Sequence, residues 1–208
     1  SAHGFLGYRV DLNDVSLPFP ISVIGLDSSW LAGDDSDAEQ LRLTEDQIMR
    51  LAADATGKPL PGLRLALVHH PLHSLADHAD SQMRLAKHVD FLLRGHLHQE
   101  DTANELRPDS QLFQIAAGCL YEGGKGNTYA NSCQVLTLTL NELGKLQRID
   151  IHFRTWSPRG HWHDDPSRHA NAPRGRLACI RHSTAQAEHW SFLAANESAT
   201  AQTGGHPT

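Results

Sequence analysis

The sequence predicts a layered α/β fold, and three observations carry that prediction. Short apolar runs end in turn or polar residues, amphipathic helical stretches separate them up to residue 94, and beyond that point strand-like runs follow one another without helices. A chain of 208 residues with 39% apolar content is long enough for one core of ~100–200 residues, so wholesale disorder is excluded.

The elements follow in chain order. Residues 20–27, Pro-Ile-Ser-Val-Ile-Gly-Leu-Asp, read as a buried strand that ends in the carboxylate of Asp27. A polar loop from Ser28 to Gln40 contains Gly33-Asp34-Asp35-Ser36-Asp37. Thr44 and Gln47 stand at capping-box spacing, with Ile48, Leu51 and Ala52 at helical spacing behind them, so a helix is expected over 45–55, stopped by Gly57 and Pro59. Leu63 to His70 is a second buried strand, ended by Pro71. A helical stretch at Ser81–His88 precedes a third run, Val89–Arg94, which ends at Gly95. Further strands are expected at 112–117, 134–140 and, after the Gly144 turn, 146–154. The composition turns polar from Asp164 onward. The domain is therefore expected over 1–163, with a flexible tail or linker over 164–208 in which His169, His182, His189 and His206 are surface residues.

Charge and cysteine usage narrow the function classes. Lys and Arg number 18 against 24 Asp and Glu, a net −6, which disfavours a nucleic-acid binder needing a basic stripe. No apolar run reaches the ~18 residues of a membrane span. Three scattered cysteines, Cys119, Cys133 and Cys179, form neither a disulfide framework nor a zinc motif; Cys133 reads as a buried free thiol, and a reducing, cytoplasmic setting is expected. The unusual count is histidine, at 15.

Two predicted strands end in histidines, Val68-His69-His70-Pro71 and Arg94-Gly95-His96-Leu97-His98. Open α/β sheets bind ligands beyond the carboxyl ends of their strands, so both termini can reach one crevice. Residues i and i+2 of an extended segment share a side, which puts His96 and His98 together. Gly95 lacks a Cβ and lets the backbone approach a bound group closely. Imidazoles converging in this way suit Zn, Fe or Mn. Elsewhere, His73 and His78 read as solvated loop residues. His161-Trp162-His163-Asp164-Asp165 has the look of a metal cluster, but Trp156 and Trp162 are expected to pack on the sheet edge. Gly123-Gly124-Lys125-Gly126 fails the phosphate-loop spacing and reads as a hairpin or loop.

The ordered pair His69-His70-Pro71 and Gly95-His96-Leu97-His98, preceded by Leu26-Asp27-Ser28-Ser29 and a helix begun by Leu43-Thr44, resembles the C-terminal half of calcineurin-like metallophosphoesterases over roughly residues 5–155. That superfamily includes bacterial phosphodiesterases. The resemblance implies an α/β/β/α sandwich and hydrolysis of a small-molecule phosphoester at two divalent or trivalent ions (Mn, Fe or Zn). It also implies roles: His69 and His96 on one metal, His98 on the other, and His70, Gly95 and Asp27 behind the ligands or beside substrate. No catalytic residue is assigned.

The acidic half of that family's pattern, Asp-x-His, Gly-Asp-x-x-Asp and Gly-Asn-His, is not found. Gly33 to Asp37 matches the second only as a string and reads as a solvated loop. The expectation is that an N-terminal segment is missing, and that this chain alone binds at most one ion weakly with little activity. Two other readings stand beside it: a degenerate fold serving as an interaction or regulatory module, and a mononuclear three-histidine zinc hydrolase with Asp27 as general base.

Overall fold

In the computed structural model, residues 6–12, 17, 19–34, 37, 39–96, 101–107, 110–120, 130–141, 145–183 and 188–194 are described, with backbone alone for 101, 103–107, 110, 182–183, 188–190 and 192–194. The fold is mixed α/β. It divides into two compact units, Ser1–Cys133 with Leu140–Lys145, and Gln134–Thr139 with Leu146–Thr208.

The first unit is a six-stranded sheet. Its strands are β1 (Gly7–Leu12), β2 (Ile21–Leu26), β3 (Leu63–Val68), β4 (Phe91–Arg94), β5 (Asp101–Arg107) and β6 (Ser110–Ala116), in spatial order β1-β2-β3-β4-β6-β5. The central four, β2, β3, β4 and β6, run parallel; β1 and β5 pair antiparallel at the two ends. The registers Gly25 opposite Leu67 and Val68 opposite Arg94 align the carboxyl ends of β2, β3 and β4 along one rim.

Two helices connect these strands, α1 (Glu45–Ala52) between β2 and β3, and α2 (His78–His88) between β3 and β4. Ile24 and Leu26 of β2, Ala66 and Val68 of β3 and Leu92 of β4 form one core with Ile48 and Leu51 of α1 and Leu85 of α2. The alternation of period 2 along the strands meets the 3.6-residue stripe of the helices at this layer. Leu41 and Leu43, in the loop before α1, seal it.

Thr44 caps α1 as expected, its hydroxyl accepting from Gln47 N at 3.4 Å. The helix ends at Ala52, short of the expected residue 55, because the Asp54 carboxylate accepts from the backbone N–H groups of Thr56 and Lys58 and closes a turn there. Those bonds, led by the Thr56 hydroxyl, hold Asp54 below the usual carboxylate range. Helix α2 starts at His78, ahead of the expected Ser81. The Asp77 carboxylate before it reaches across to accept from Thr44 N at 2.8 Å and Leu43 N at 3.3 Å, tying the start of α1 to that of α2.

Strand β1 was not among the expected elements, although Tyr8, Val10 and Leu12 alternate with Arg9 and Asp11. Its polar residues hold it in place: Arg9 donates to Leu51 O, and Asp11 accepts from the Ser22 hydroxyl at 2.9 Å.

The second unit is a five-stranded sheet of β7 (Ser132–Leu140), β8 (Leu146–Ser157), β9 (His161–Asp164), β10 (Arg176–Ser183) and β11 (Glu188–Ala194), ordered β11-β10-β8-β7 with β9 folded back on β8. Residues 176–183 and 188–194, expected within a flexible tail, form β10 and β11. Leu177 and Cys179 of β10 lie opposite Ile151 and Ile149 of β8, and all four are buried. The register with β8, not the local composition, makes this segment a strand. His169, expected on the surface, is half-buried and stacks on Phe153 at 5.4 Å. Trp156 and Trp162 pair edge-to-face across β8 and β9 at 5.5 Å. All three cysteines are free; Cys133 is half-buried where burial was expected. Among the described residues, no helix is long and apolar enough to cross a membrane.

Candidate metal centre

The site begins with the rim formed by β2, β3 and β4. Each strand releases its chain there, and the exits of β2 and β3 are pinned. At β2, the nearly buried Gln47 of α1 takes both backbone groups of Asp27: its carbonyl accepts from Asp27 N at 2.5 Å and its amide donates to Asp27 O at 3.1 Å and to Leu43 O at 2.8 Å. The expected capping box is thus completed on one side only, since Gln47 clamps the strand end instead of returning to Thr44. Ser28, 1% exposed, lies one residue on. At β3, His70 N donates to the Ser28 hydroxyl at 3.2 Å, and the same oxygen meets His70 Nδ1 at 2.9 Å.

These constraints bring His69, His70 and His96 together, with one ring nitrogen from each lying within 4.8 Å of the others. The ring centroids stand 4.7–5.0 Å apart. His96 Nδ1 and His69 Nε2 are 3.2 Å apart. Two nitrogens bound at ~2.0–2.1 Å to a tetrahedral ion are about 3.3 Å apart, so this pair already has ligand spacing. Closing the third ring onto one ion requires a side-chain rotation at the wider contacts. With Nδ1 of His70 engaged by Ser28, Nε2 is the atom it offers, the arrangement in which a partner on one ring nitrogen fixes the other for a ligand. Burial holds the His70 pKa below its ordinary value; the charges of His69 and His96 push the same way, and Asp27 opposes them. The ring therefore favours the neutral form that metal binding requires.

Three neutral imidazoles fit a borderline-soft divalent ion, and three protein ligands with open positions is the pattern of catalytic rather than structural zinc. The group could hold one metal ion. Among the described residues, no carboxylate joins it.

His70, expected behind the ligands, belongs with His69 and His96 to the group that could hold an ion. His98, expected as a ligand, lies outside the described residues, as does Gly123–Gly126. Gly95 lies beside His69. A Cβ there would sit 3.8 Å from His69 Nδ1, an ordinary contact, so the protein itself does not require glycine at this position. The left-handed backbone belongs to His96, at φ 74°. For a residue with a side chain that conformation costs of order 1–2 kcal/mol, and here it accompanies the turn that carries the ring to His69.

Asp27 lies on the rim as expected, its carboxylate accepting from Ser29 N at 2.8 Å. The acidic loop is placed more usefully than its sequence suggested. Asp37 closes its own turn by accepting from Gly33 N and Asp34 N, yet Asp34 and Asp37 line a hollow of about 430 Å³ together with His70 and His96. The available signal was positional, since this loop directly follows the end of β2. His73 and His78 are exposed, as expected, but lie in a single 3-10 turn and at the first position of α2 rather than in a loop.

No protein-family profile matches the chain. No curated protein is significantly similar to it in sequence.

Proposed function

We propose that the chain supplies the imidazole ligands of a metal-dependent phosphoester hydrolase acting on a small-molecule substrate. One observation carries the reading: His69, His70 and His96 converge beyond the carboxyl ends of adjacent parallel strands, where open α/β sheets place their ligands. The motif resemblance adds the reaction class, and with it an α/β/β/α layering and a second ion held partly through His98.

A bound divalent ion supplies Lewis acidity toward phosphoryl oxygens and acidifies water. The chain's own residues do the rest. His69 and His96 are set at ligand spacing, Ser28 orients His70, and Gln47 fixes the backbone on which Asp27 and Ser28 sit. Imidazoles alone bring no negative charge to offset two cations, so this chain is assigned one ion and slow turnover, with the carboxylates of a two-metal site coming from outside the motifs present here.

The test is calorimetric titration with Zn²⁺ and Mn²⁺, alongside hydrolysis of bis(4-nitrophenyl) phosphate. The expected result is one ion per chain, lost in His69→Ala and His96→Ala, and slow turnover that EDTA and His96→Ala abolish. Absence of binding by either ion, or turnover indifferent to EDTA, overturns the reading. Two ions per chain with rapid turnover overturns the assignment of an incomplete site.

A further inference from the structure

A second hollow, of about 620 Å³, has His69 in its lining. It is bounded by Tyr8 of β1, Gly25 of β2 and Leu67 of β3, with Asp27 and His69 at the rim. Its size is that of a small-molecule site, and its walls are mostly apolar. Resting on the metal-site reading above, we infer that this groove receives a planar aromatic group of the phosphoester, stacked on Tyr8.

Three features support that occupant. Tyr8 lies opposite Gly25 in the antiparallel pair, and a Cβ at residue 25 would fall 2.1 Å from Tyr8 Cε1. The phenol ring therefore rests directly on the backbone of β2, a placement only glycine permits. It is held there and still 45% exposed, so ring surface is left open to a ligand. Leu67 flanks it on the same side of the sheet, since the register sets Gly25 opposite both Tyr8 and Leu67. A flat, apolar, aromatic-walled surface suits an aryl or heteroaryl ring better than a polyol, which would leave hydroxyls without partners there.

The groove's polarity orients the ligand. Asp27 at the rim repels a bare phosphate, so the anion reaches this point only with a cation on the imidazoles. His69 belongs to both the groove and the triad. A phosphoryl group at the triad thus directs its ester substituent past His69 and toward Tyr8.

The experiment uses non-hydrolysable probes, so it does not depend on turnover. Phenylphosphonate and methylphosphonate are titrated into the zinc-loaded chain and into zinc-loaded Tyr8→Ser and Tyr8→Phe, after zinc alone has been titrated into each. The expected result is that phenylphosphonate binds about five- to tenfold more tightly than methylphosphonate. Tyr8→Ser erases that preference and Tyr8→Phe keeps it, while zinc affinity and methylphosphonate affinity stay unchanged in both. Without zinc, neither probe binds. Adenosine 5′-monophosphate separates the sources of the ring: binding at least as tight as phenylphosphonate assigns a nucleotide, and weaker binding assigns a simple aryl ester. Equal affinity for the two phosphonates, a preference that survives Tyr8→Ser, or zinc binding lost with Tyr8 overturns the inference while the metal reading stands. Failure of zinc to bind the unaltered chain overturns the metal reading, and this inference with it.

Discussion

Ser28→Ala is the substitution that most directly tests how the site is built. The Ser28 hydroxyl contacts His70 twice, 2.9 Å from Nδ1 and 3.2 Å from the backbone nitrogen, in a position only 1% exposed. Removing it leaves a shielded N–H without its acceptor, at a cost of about 1–3 kcal/mol in stability. It also frees the His70 ring to rotate and to change tautomer. Loss of such an orienting partner typically weakens metal binding 10–100-fold, or about 1.4–2.7 kcal/mol. The assay is zinc competition against a fluorescent chelator at neutral pH, with thermal melts in parallel. His70→Ala should weaken binding further, and Ser28→Ala added to His70→Ala should change zinc affinity little, because the hydroxyl acts through that ring. Unchanged zinc affinity in Ser28→Ala, with His70→Ala impaired, would refute the orienting role. A full additive loss in the double variant would show that Ser28 acts by some other route.

Other expectations concern strain, the strand-end clamp and titration. His96→Gly and His96→Ala should both lose zinc binding, but the glycine variant should be about 1 kcal/mol more stable by denaturant titration, since glycine adopts φ 74° without the left-handed penalty; equal stabilities would remove the strain argument. Gln47→Leu keeps the volume yet strips partners from Asp27 N, Asp27 O and Leu43 O, and should cost about 2–4 kcal/mol while loosening zinc binding. Burial raises the pKa of Asp165, but hydrogen bonds from Ser167, Thr155 and Arg168 outweigh it and hold the group well below the ordinary value. Its stabilisation is present above about pH 4 and is lost as pH falls below that, so Asp165→Asn should flatten the acid limb of the melting curve. Burial, reinforced by the charge of Asp150, pushes the Cys179 thiol up to about 12, so a thiol reagent at mildly alkaline pH should leave Cys179 unmodified in the folded chain and label it once denatured.

Local pattern is enough to identify the strands that carry the site. Ile21–Leu26, Leu63–Val68 and Phe91–Arg94 are compact apolar runs bounded by turn residues, and the histidines follow two of them directly. The Thr44 cap and the apolar stripe of α1 are equally local. The same periodicity marks β1, where Tyr8, Val10 and Leu12 alternate with charges, although a six-residue alternation is easily overlooked beside longer apolar runs.

What the sequence determines by itself is therefore the parallel α/β core and the rim at which its histidines emerge, because both follow from the period of the apolar residues and from turn chemistry. Tertiary structure decides which imidazoles meet. His70 enters the cluster through Ser28, a residue 42 positions away, and His96 through a left-handed turn that spacing along an ideal strand does not produce. It also decides that β10 pairs with β8 and β11 with β10, that the Asp34 and Asp37 loop faces the imidazoles, and that Tyr8 rests on Gly25 beside His69. Each depends on contacts between residues far apart in the chain, and side-chain hydrogen bonds and strand register over such distances leave no periodic trace in the residues that make them.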